Sequence, residues 1–177
     1  MIEAILGVPI SRPNEFILSA LFRGHLKAAS ENENASSSIF RVYKQLGKGT
    51  PECLAAAILT TGGSHAPVTH ARRILYAPTH QAIRVLLEMN KPVPGFGNSF
   101  YKDRTDPAFD EFVELVKELP AYQKILEVGN LIESRTGVRP HPNAAAFTAC
   151  TAEILGLKPR MEFALFAIPR LCAWLQF

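Results

Sequence analysis

Apolar residues recur along most of the chain at the three- and four-residue spacing of amphipathic helices, and the period-two alternation of strands is nearly absent. The first clear case is residues 13–30, which begin at Pro13, a residue favoured in the first turn of a helix. The same pattern and its start signals predict further helices at residues 35–46, 50–61, 67–75, 78–89, 107–119, 120–136, 143–155 and 160–177. The sequence therefore predicts an all-α fold of eight to nine helices with essentially no sheet.

Two segments depart from this pattern. The loop at residues 91–97, Lys-Pro-Val-Pro-Gly-Phe-Gly, is rich in the residues that end helices. The final stretch, residues 163–177, is unusually apolar for a chain end, where residues are normally solvated. We expect this stretch to need cover from another subunit or from further chain.

Composition narrows the classes of function. With 177 residues and 47% hydrophobic content, the chain has enough apolar material for one substantial core with a small lobe attached. The 19 Lys and Arg residues nearly balance the 16 Asp and Glu residues, and no basic run with interleaved aromatics occurs. We therefore expect no nucleic-acid partner, whereas a small anionic ligand fits this charge.

Location and metal content follow from shorter signals. The start lacks a basic region and cleavage site, and the apolar end is too short to span a bilayer, so we expect a cytoplasmic protein with no membrane contact. Three cysteines lie in apolar helical settings and predict buried, reduced thiols: Cys53, Cys150 and Cys172. The histidines lack the spacing and companions of a zinc site, so no metal is expected.

Four segments carry a family resemblance, in order and at suitable separations. Residues 34–65 combine Asn-Ala-Ser, an Ala-rich helix and Gly-Gly-Ser-His; residues 94–102 read Pro-Gly-Phe-Gly-Asn-Ser-Phe-Tyr-Lys. Residues 142–147 read Pro-Asn-Ala-Ala-Ala-Phe, and residues 165–175 read Leu-Phe-Ala-Ile-Pro-Arg-Leu-Cys-Ala-Trp-Leu. Together they resemble the second half of citrate synthases over about residues 16–177.

This resemblance implies a citrate-synthase-like helical fold with a truncated large domain plus a small helical domain. Residues 1–65 and 145–177 match the large-domain portion, and residues 66–144 match the small domain. It also implies a homodimer through the large-domain helices. A separate polypeptide that supplies the N-terminal half is the other partner that the resemblance suggests.

The resemblance also assigns catalytic positions, since citrate synthases join acetyl-CoA to oxaloacetate with a carboxylate base and two histidines. His65 matches the histidine at the thioester oxygen, and Asn98 stands where the second histidine belongs. Ala145 or Ala146 replaces the catalytic Asp, so the enolising base is absent. Arg170 matches an arginine that binds oxaloacetate.

The resemblance further implies contact with coenzyme A or an acyl-CoA substrate. In the family, the loop that matches residues 93–97 receives the adenine, here at Val93, Gly95, Phe96 and Gly97. A basic residue, here Lys102, lies near the phosphates. Ordinary structural roles are the alternatives to these assignments. A Pro-Gly turn needs no ligand, and a histidine such as His65 often packs or caps within a turn.

Three hypotheses follow. The first is an enzyme of the citrate synthase class, a Claisen-type acyltransferase or, in reverse, a citryl-CoA lyase, with a base drawn from Asp103, Asp106 or a partner chain. The second is a non-catalytic homologue that binds CoA or acts as an interaction protein. The third is the C-terminal half of a split enzyme.

Overall fold

The fold is built from helices that pack against one another. The computed structural model describes residues 2–31, 35–61, 68–98 and 100–176. In these ranges the chain forms ten α-helices and one 3-10 helix, and no strand. They are α1 (Ile2–Leu6), α2 (Arg12–Glu31), α3 (Ala35–Gln45), α4 (Thr50–Leu59), α5 (Val68–Leu75), α6 (Gln81–Glu88), the 3-10 helix (Pro107–Phe109), α7 (Asp110–Val116), α8 (Pro120–Thr136), α9 (Ala144–Ile154) and α10 (Glu162–Trp174). The predicted all-α class is confirmed.

Helix boundaries agree with the start and stop signals at most positions. Proline occupies the first turn of α4 and α8, and α8 ends at Gly137 in the left-handed conformation, with φ 72°. The prediction of one continuous helix at residues 107–119 is wrong. The Asp106 carboxylate accepts a hydrogen bond from the Ala108 amide at 2.9 Å and starts a separate 3-10 turn before α7. The short helix α1 was not predicted.

The main core lies around α9. Its residues from Ala145 to Ala152 are all buried, and most are small, so neighbouring helices approach this helix closely from several sides. Helices α2, α5, α8 and α10 all pack against it. Because this one cluster includes residues from both sides of position 145, the domain boundaries at residues 65 and 145 stay a prediction.

A second, smaller core joins the α3–α4 pair to the end of α10. Phe40, Cys53 and Ala57 pack with Trp174, whose indole N–H donates to the Ser37 hydroxyl at 3.0 Å. The chain's own helices thus cover most of the apolar C-terminal stretch, and the expectation that it needs outside cover is wrong for those residues. None of the helices in the described part combines the length and apolarity that crossing a membrane requires.

The cysteine prediction holds for two of three residues. Cys53 and Cys150 are buried free thiols, as expected. Cys172 is exposed, because α10 continues through Pro169 and turns this side chain away from the core. The apolar sequence around Cys172 therefore did not indicate the direction in which its side chain points.

Candidate functional site

The glycine-containing loop at residues 93–97 is a tight turn held against two helices. Gly95 and Gly97 have φ angles of 97° and 80°, in the left-handed region that glycine adopts without strain. A side chain at Gly95 would meet Leu75 of α5 at 3.2 Å and Ala146 of α9 at 3.4 Å. Both a positive φ and close packing therefore require glycine at position 95.

Asn143 fixes this loop to the start of α9. Its backbone amide donates to the Gly95 carbonyl at 2.9 Å, and its side-chain amide donates to the Gly97 carbonyl at 2.8 Å. Its side-chain oxygen accepts from the Ala145 amide at 3.0 Å, which caps α9. The Gly97 amide donates to the His141 carbonyl at 2.9 Å, so the loop is preorganised on both sides.

A cavity of about 470 Å³ opens beside the 93–97 loop, between the ends of α6 and α8. Its walls are mostly apolar and include three loop residues: Val93, Phe96 and Gly97. The other lining residues are Leu87, Asn90, Lys91, Pro92, Ile132, Thr136 and Pro140. Its volume lies in the range of small-molecule sites.

A more polar cavity of about 410 Å³ continues from the first one, with which it shares Leu87, Asn90 and Thr136. Arg84 and Arg135 line it, together with a single carboxylate from Glu88. We call the two cavities together the loop groove. The groove combines an apolar part beside the loop with a cationic part between the helix ends.

Three cations of the loop groove are available to a ligand. Arg84, Lys91 and Arg135 are exposed, and none forms an ion pair within the described part of the chain. Lys102, the predicted phosphate contact, is also exposed but does not line the groove. The sequence analysis missed Arg84 and Arg135, because they come from two helices distant in the chain, and it gave no role to Lys91, which precedes the loop.

The predicted catalytic positions are only partly described. His65 lies outside the described residues. Asn98 is half-buried, and its side-chain oxygen accepts from the Phe100 amide at 2.9 Å. This Asx turn occupies the oxygen and leaves the amide nitrogen as the donor that Asn98 offers to a ligand.

The position where the resemblance places the base lies at the first turn of α9. Ala145 and Ala146 are both buried, and Ala146 packs on Gly95. No carboxylate belongs to this helix before Glu153. The turn that holds the loop thus presents methyl groups where the resemblance places a proton acceptor.

Arg170 lies inside the core. Its guanidinium carbon is 4.1 Å from the centre of the Phe166 ring, and its Nε has no hydrogen-bond partner in the described ranges. Burial lowers the pKa of Arg170 to about 10, and the negative charge of Asp106 offsets part of that decrease. Asp106 is itself buried. Arg170, which the resemblance assigns to oxaloacetate binding, is therefore held among protein side chains.

His25 is a buried polar residue that sequence reasoning missed. Its ring lies edge-on to Phe109 and Phe166, with centroids 5.3 and 5.2 Å away. The Thr148 hydroxyl donates to the Ala144 carbonyl at 2.7 Å, so the His25 Nε2–H donates to the Thr148 oxygen at 2.8 Å. Its Nδ1 then carries no proton and has no partner in the part of the chain that the structure describes.

The charge state of His25 follows from this environment. Burial lowers its pKa well below 6.5, and the positive charge of Arg170 lowers it further. The imidazole is therefore neutral at pH 7. Its position on α2, among apolar neighbours in sequence, gave no signal that it would meet Thr148 of α9.

Metal ligands do not cluster in this fold as far as it is described. Within residues 2–31, 35–61, 68–98 and 100–176, no group of three or more His, Cys, Asp or Glu side chains could hold an ion. The rigid loop and its groove together form one site that can bind a ligand. They suit an anionic molecule with an apolar or aromatic part.

Comparisons with known proteins agree with this helical architecture. The family model for the citrate synthase C-terminal domain matches residues 12–176. A solved structure of citryl-CoA lyase from Hydrogenobacter thermophilus superposes with a TM-score of 0.80 at 21% sequence identity. The match covers 99% of this chain and 72% of that one, and at this identity it shows a shared fold. No curated protein matches the chain in sequence.

Proposed function

Since the chain belongs to the citrate synthase family, we propose that it binds coenzyme A or an acyl-CoA in the loop groove. The observation that supports this proposal is the combination of a preorganised glycine loop with an apolar cavity and three available cations. An adenine ring fits the apolar part, where Val93 and Phe96 form the wall and backbone groups of the loop lie close.

The phosphates of the ligand belong at the cationic end of the groove. Arg84 and Arg135 line the polar cavity, and Lys91 lines the apolar one next to the loop. Guanidinium groups bind phosphate oxygens through two parallel N–H donors, which gives both affinity and orientation. We assign the phosphate contacts to these three side chains before the more distant Lys102.

We propose further that this chain does not form citrate by itself. Ala145 and Ala146 offer no proton acceptor, and proton removal from the acetyl methyl requires one. Arg170 packs on Phe166 beside the charge of Asp106, so its guanidinium is engaged within the core instead of facing a dicarboxylate. CoA binding without standard citrate synthesis is the function that this geometry supports best.

Self-association is part of the proposal. Four apolar side chains of the α3–α4 pair are exposed: Leu46 by 67%, Leu59 by 82%, Val42 by 46% and Tyr43 by 37%. Exposed apolar side chains on one helix pair favour a symmetric contact with a second copy. We therefore propose a homodimer through α3 and α4.

Calorimetric titration of the full chain with CoA and acetyl-CoA tests ligand binding. Wild-type protein should bind both, and the double variant Arg84→Glu/Arg135→Glu should weaken binding at least tenfold, because the phosphates then meet negative charge. Lys27→Glu, an exposed charge reversal on α2 outside the groove, is the matched control and should bind like the wild type. No binding by the wild type would refute the proposal.

A second assay addresses catalysis. Release of free CoA from acetyl-CoA in the presence of oxaloacetate is followed with a thiol reagent on the same protein preparation. We expect no release above the rate without protein, because the base is missing. Sustained turnover that scales with protein concentration would show that another group of this chain acts as the base.

A further inference from the structure

The largest of the described cavities lies away from the loop groove, between α5 and α6, and has a volume of about 880 Å³. It shares no lining residue with the two cavities of the groove. The turn after α5 closes one side through Tyr76, Ala77 and Pro78, and Pro94 closes another. We call it the α5–α6 cavity.

Two helical stripes form its walls. On α5, His70, Arg73 and Ile74 are spaced by three and four residues and thus lie on one face. On α6, Ala82, Val85 and Leu86 repeat the same spacing. Because a short turn joins the two helices, both stripes face the same space, and seven of the ten lining side chains are aliphatic or small.

Three of the side chains that line the cavity are polar: His70, Arg73 and Tyr76. The Tyr76 hydroxyl donates its proton to the Ala121 carbonyl at 2.8 Å, so this proton is not available for a hydrogen bond to a ligand. No Asp or Glu lines the cavity. Arg73 is exposed and forms no ion pair in the described ranges, which leaves a free guanidinium beside an apolar wall.

From these features we infer that the α5–α6 cavity binds an aliphatic chain of medium length whose anionic head group lies at Arg73. The apolar stripes bury the hydrocarbon, and the guanidinium receives the anion. A volume of about 880 Å³ lies within the range of small-molecule sites and exceeds what a two-carbon acyl group needs. A free aliphatic carboxylate supplies both the chain and the anionic head group, whereas a CoA thioester shares only the acyl chain, because its thioester carbonyl carries no charge.

This inference does not depend on CoA binding in the loop groove, because a free carboxylate contains no CoA. The probes are hexanoate, octanoate and decanoate, with 1-octanol as the uncharged analogue. Calorimetric titration of the full chain should show affinity that rises about fourfold for each added methylene, the equivalent of about 0.8 kcal/mol per buried group. Octanoate should bind more tightly than 1-octanol.

Two variants separate the head-group contact from the hydrocarbon contact. Arg73→Gln should weaken octanoate at least tenfold and leave 1-octanol unchanged, since only the carboxylate loses its partner. Ala82→Trp should abolish both by filling the cavity. Ala55→Trp, at an exposed position on α4, is the matched control and should bind like the wild type.

Circular dichroism first establishes that each variant folds, and if Ala82→Trp does not fold, Val85→Phe replaces it as the variant that fills the cavity. The inference is wrong if octanoate does not bind, if affinity is independent of chain length, or if Arg73→Gln affects octanoate and octanol equally. Octanoyl-CoA and CoA then identify the source. If octanoyl-CoA binds more tightly than CoA and Ala82→Trp removes this difference, the ligand is a CoA thioester. If only the free acid binds, the ligand is a carboxylate.

Discussion

Asn143 illustrates how much of the site rests on single residues. Its backbone amide, side-chain amide and side-chain oxygen each make a different bond, to Gly95, Gly97 and Ala145. One residue thereby fixes the loop and starts α9, whose first turn is where the resemblance places the base. A loop held this way loses little conformational entropy when a ligand arrives.

Gly95 and Gly97 should respond differently to the same substitution. Both have positive φ, so an added methyl group strains either backbone by about 1 kcal/mol or more. At Gly95 the methyl group also meets Leu75 and Ala146, whereas nothing lies within 4 Å at Gly97. Urea unfolding should therefore show a larger loss of unfolding free energy for Gly95→Ala than for Gly97→Ala. Equal losses would mean that packing at Gly95 is unimportant.

His25 predicts a pH dependence of stability. Its folded pKa is lowered, so between that value and the unfolded value near 6.5 the unfolded chain binds more protons. The stabilisation is complete above about pH 6.5 and is lost as pH falls below it, by up to about 1.4 kcal/mol per pH unit.

Urea titrations at pH values from 5 to 8 measure this slope. His25→Leu removes the titrating group and should reduce the slope below pH 6.5 relative to the wild type. Ile17→Val, a buried substitution on the same helix without a titratable group, serves as the control and should keep the wild-type slope. Identical slopes for wild type and His25→Leu would contradict the assignment.

At the scale of elements, Arg72 ties α5 to the connection between α9 and α10. Its guanidinium donates to Glu153 at 2.7 Å, to Glu162 at 2.9 Å and to the Leu157 carbonyl at 2.7 Å. Glu162 is buried, so its carboxylate depends on this arginine and on the Arg160 amide at 3.1 Å. Helix α5 is thus attached to the core by charge as well as by packing.

Arg72→Gln should be strongly destabilising. The substitution leaves the Glu162 carboxylate buried without its ion-pair partner, and such losses cost about 3–5 kcal/mol. Chemical denaturation measures the change in unfolding free energy. Arg23→Gln is the matched control, because Arg23 forms an exposed ion pair with Glu111 and exposed pairs contribute little. Similar effects of the two variants would show that burial does not matter here.

At the scale of the molecule, the sequence predicted the elements better than their contacts. Helix starts such as Pro51, Pro120 and Asn143 depend on nearby residues alone, and they were identified correctly. The 107–119 segment was predicted as one helix because periodicity does not report that its first turn closes with the tighter bond from the Phe109 amide to the Asp106 carbonyl, at 3.0 Å.

The site was less predictable, because its members come from distant parts of the chain. The family resemblance identified the 93–97 loop, whose glycines carry a local signal. Arg84 and Arg135 are separated by more than a helix and a loop, and they meet only through the packing of α6 against α8. Likewise, His25 reaches Thr148 only because α2 packs on α9.

The exposed apolar surface of the α3–α4 pair predicts the oligomeric state. A dimer through this pair removes Leu46 and Leu59 from solvent, and each buried leucine contributes about 1.5–3 kcal/mol. Light scattering coupled to size exclusion should therefore give twice the chain mass, and Leu46→Glu/Leu59→Glu should give the monomer mass. Leu115→Glu on α7, an exposed leucine outside this pair, should leave the dimer intact. A monomeric wild type would exclude this dimer. A dimer that survives the double substitution would place the contact elsewhere, since two carboxylates buried against a second copy cannot be accommodated without a large loss of affinity.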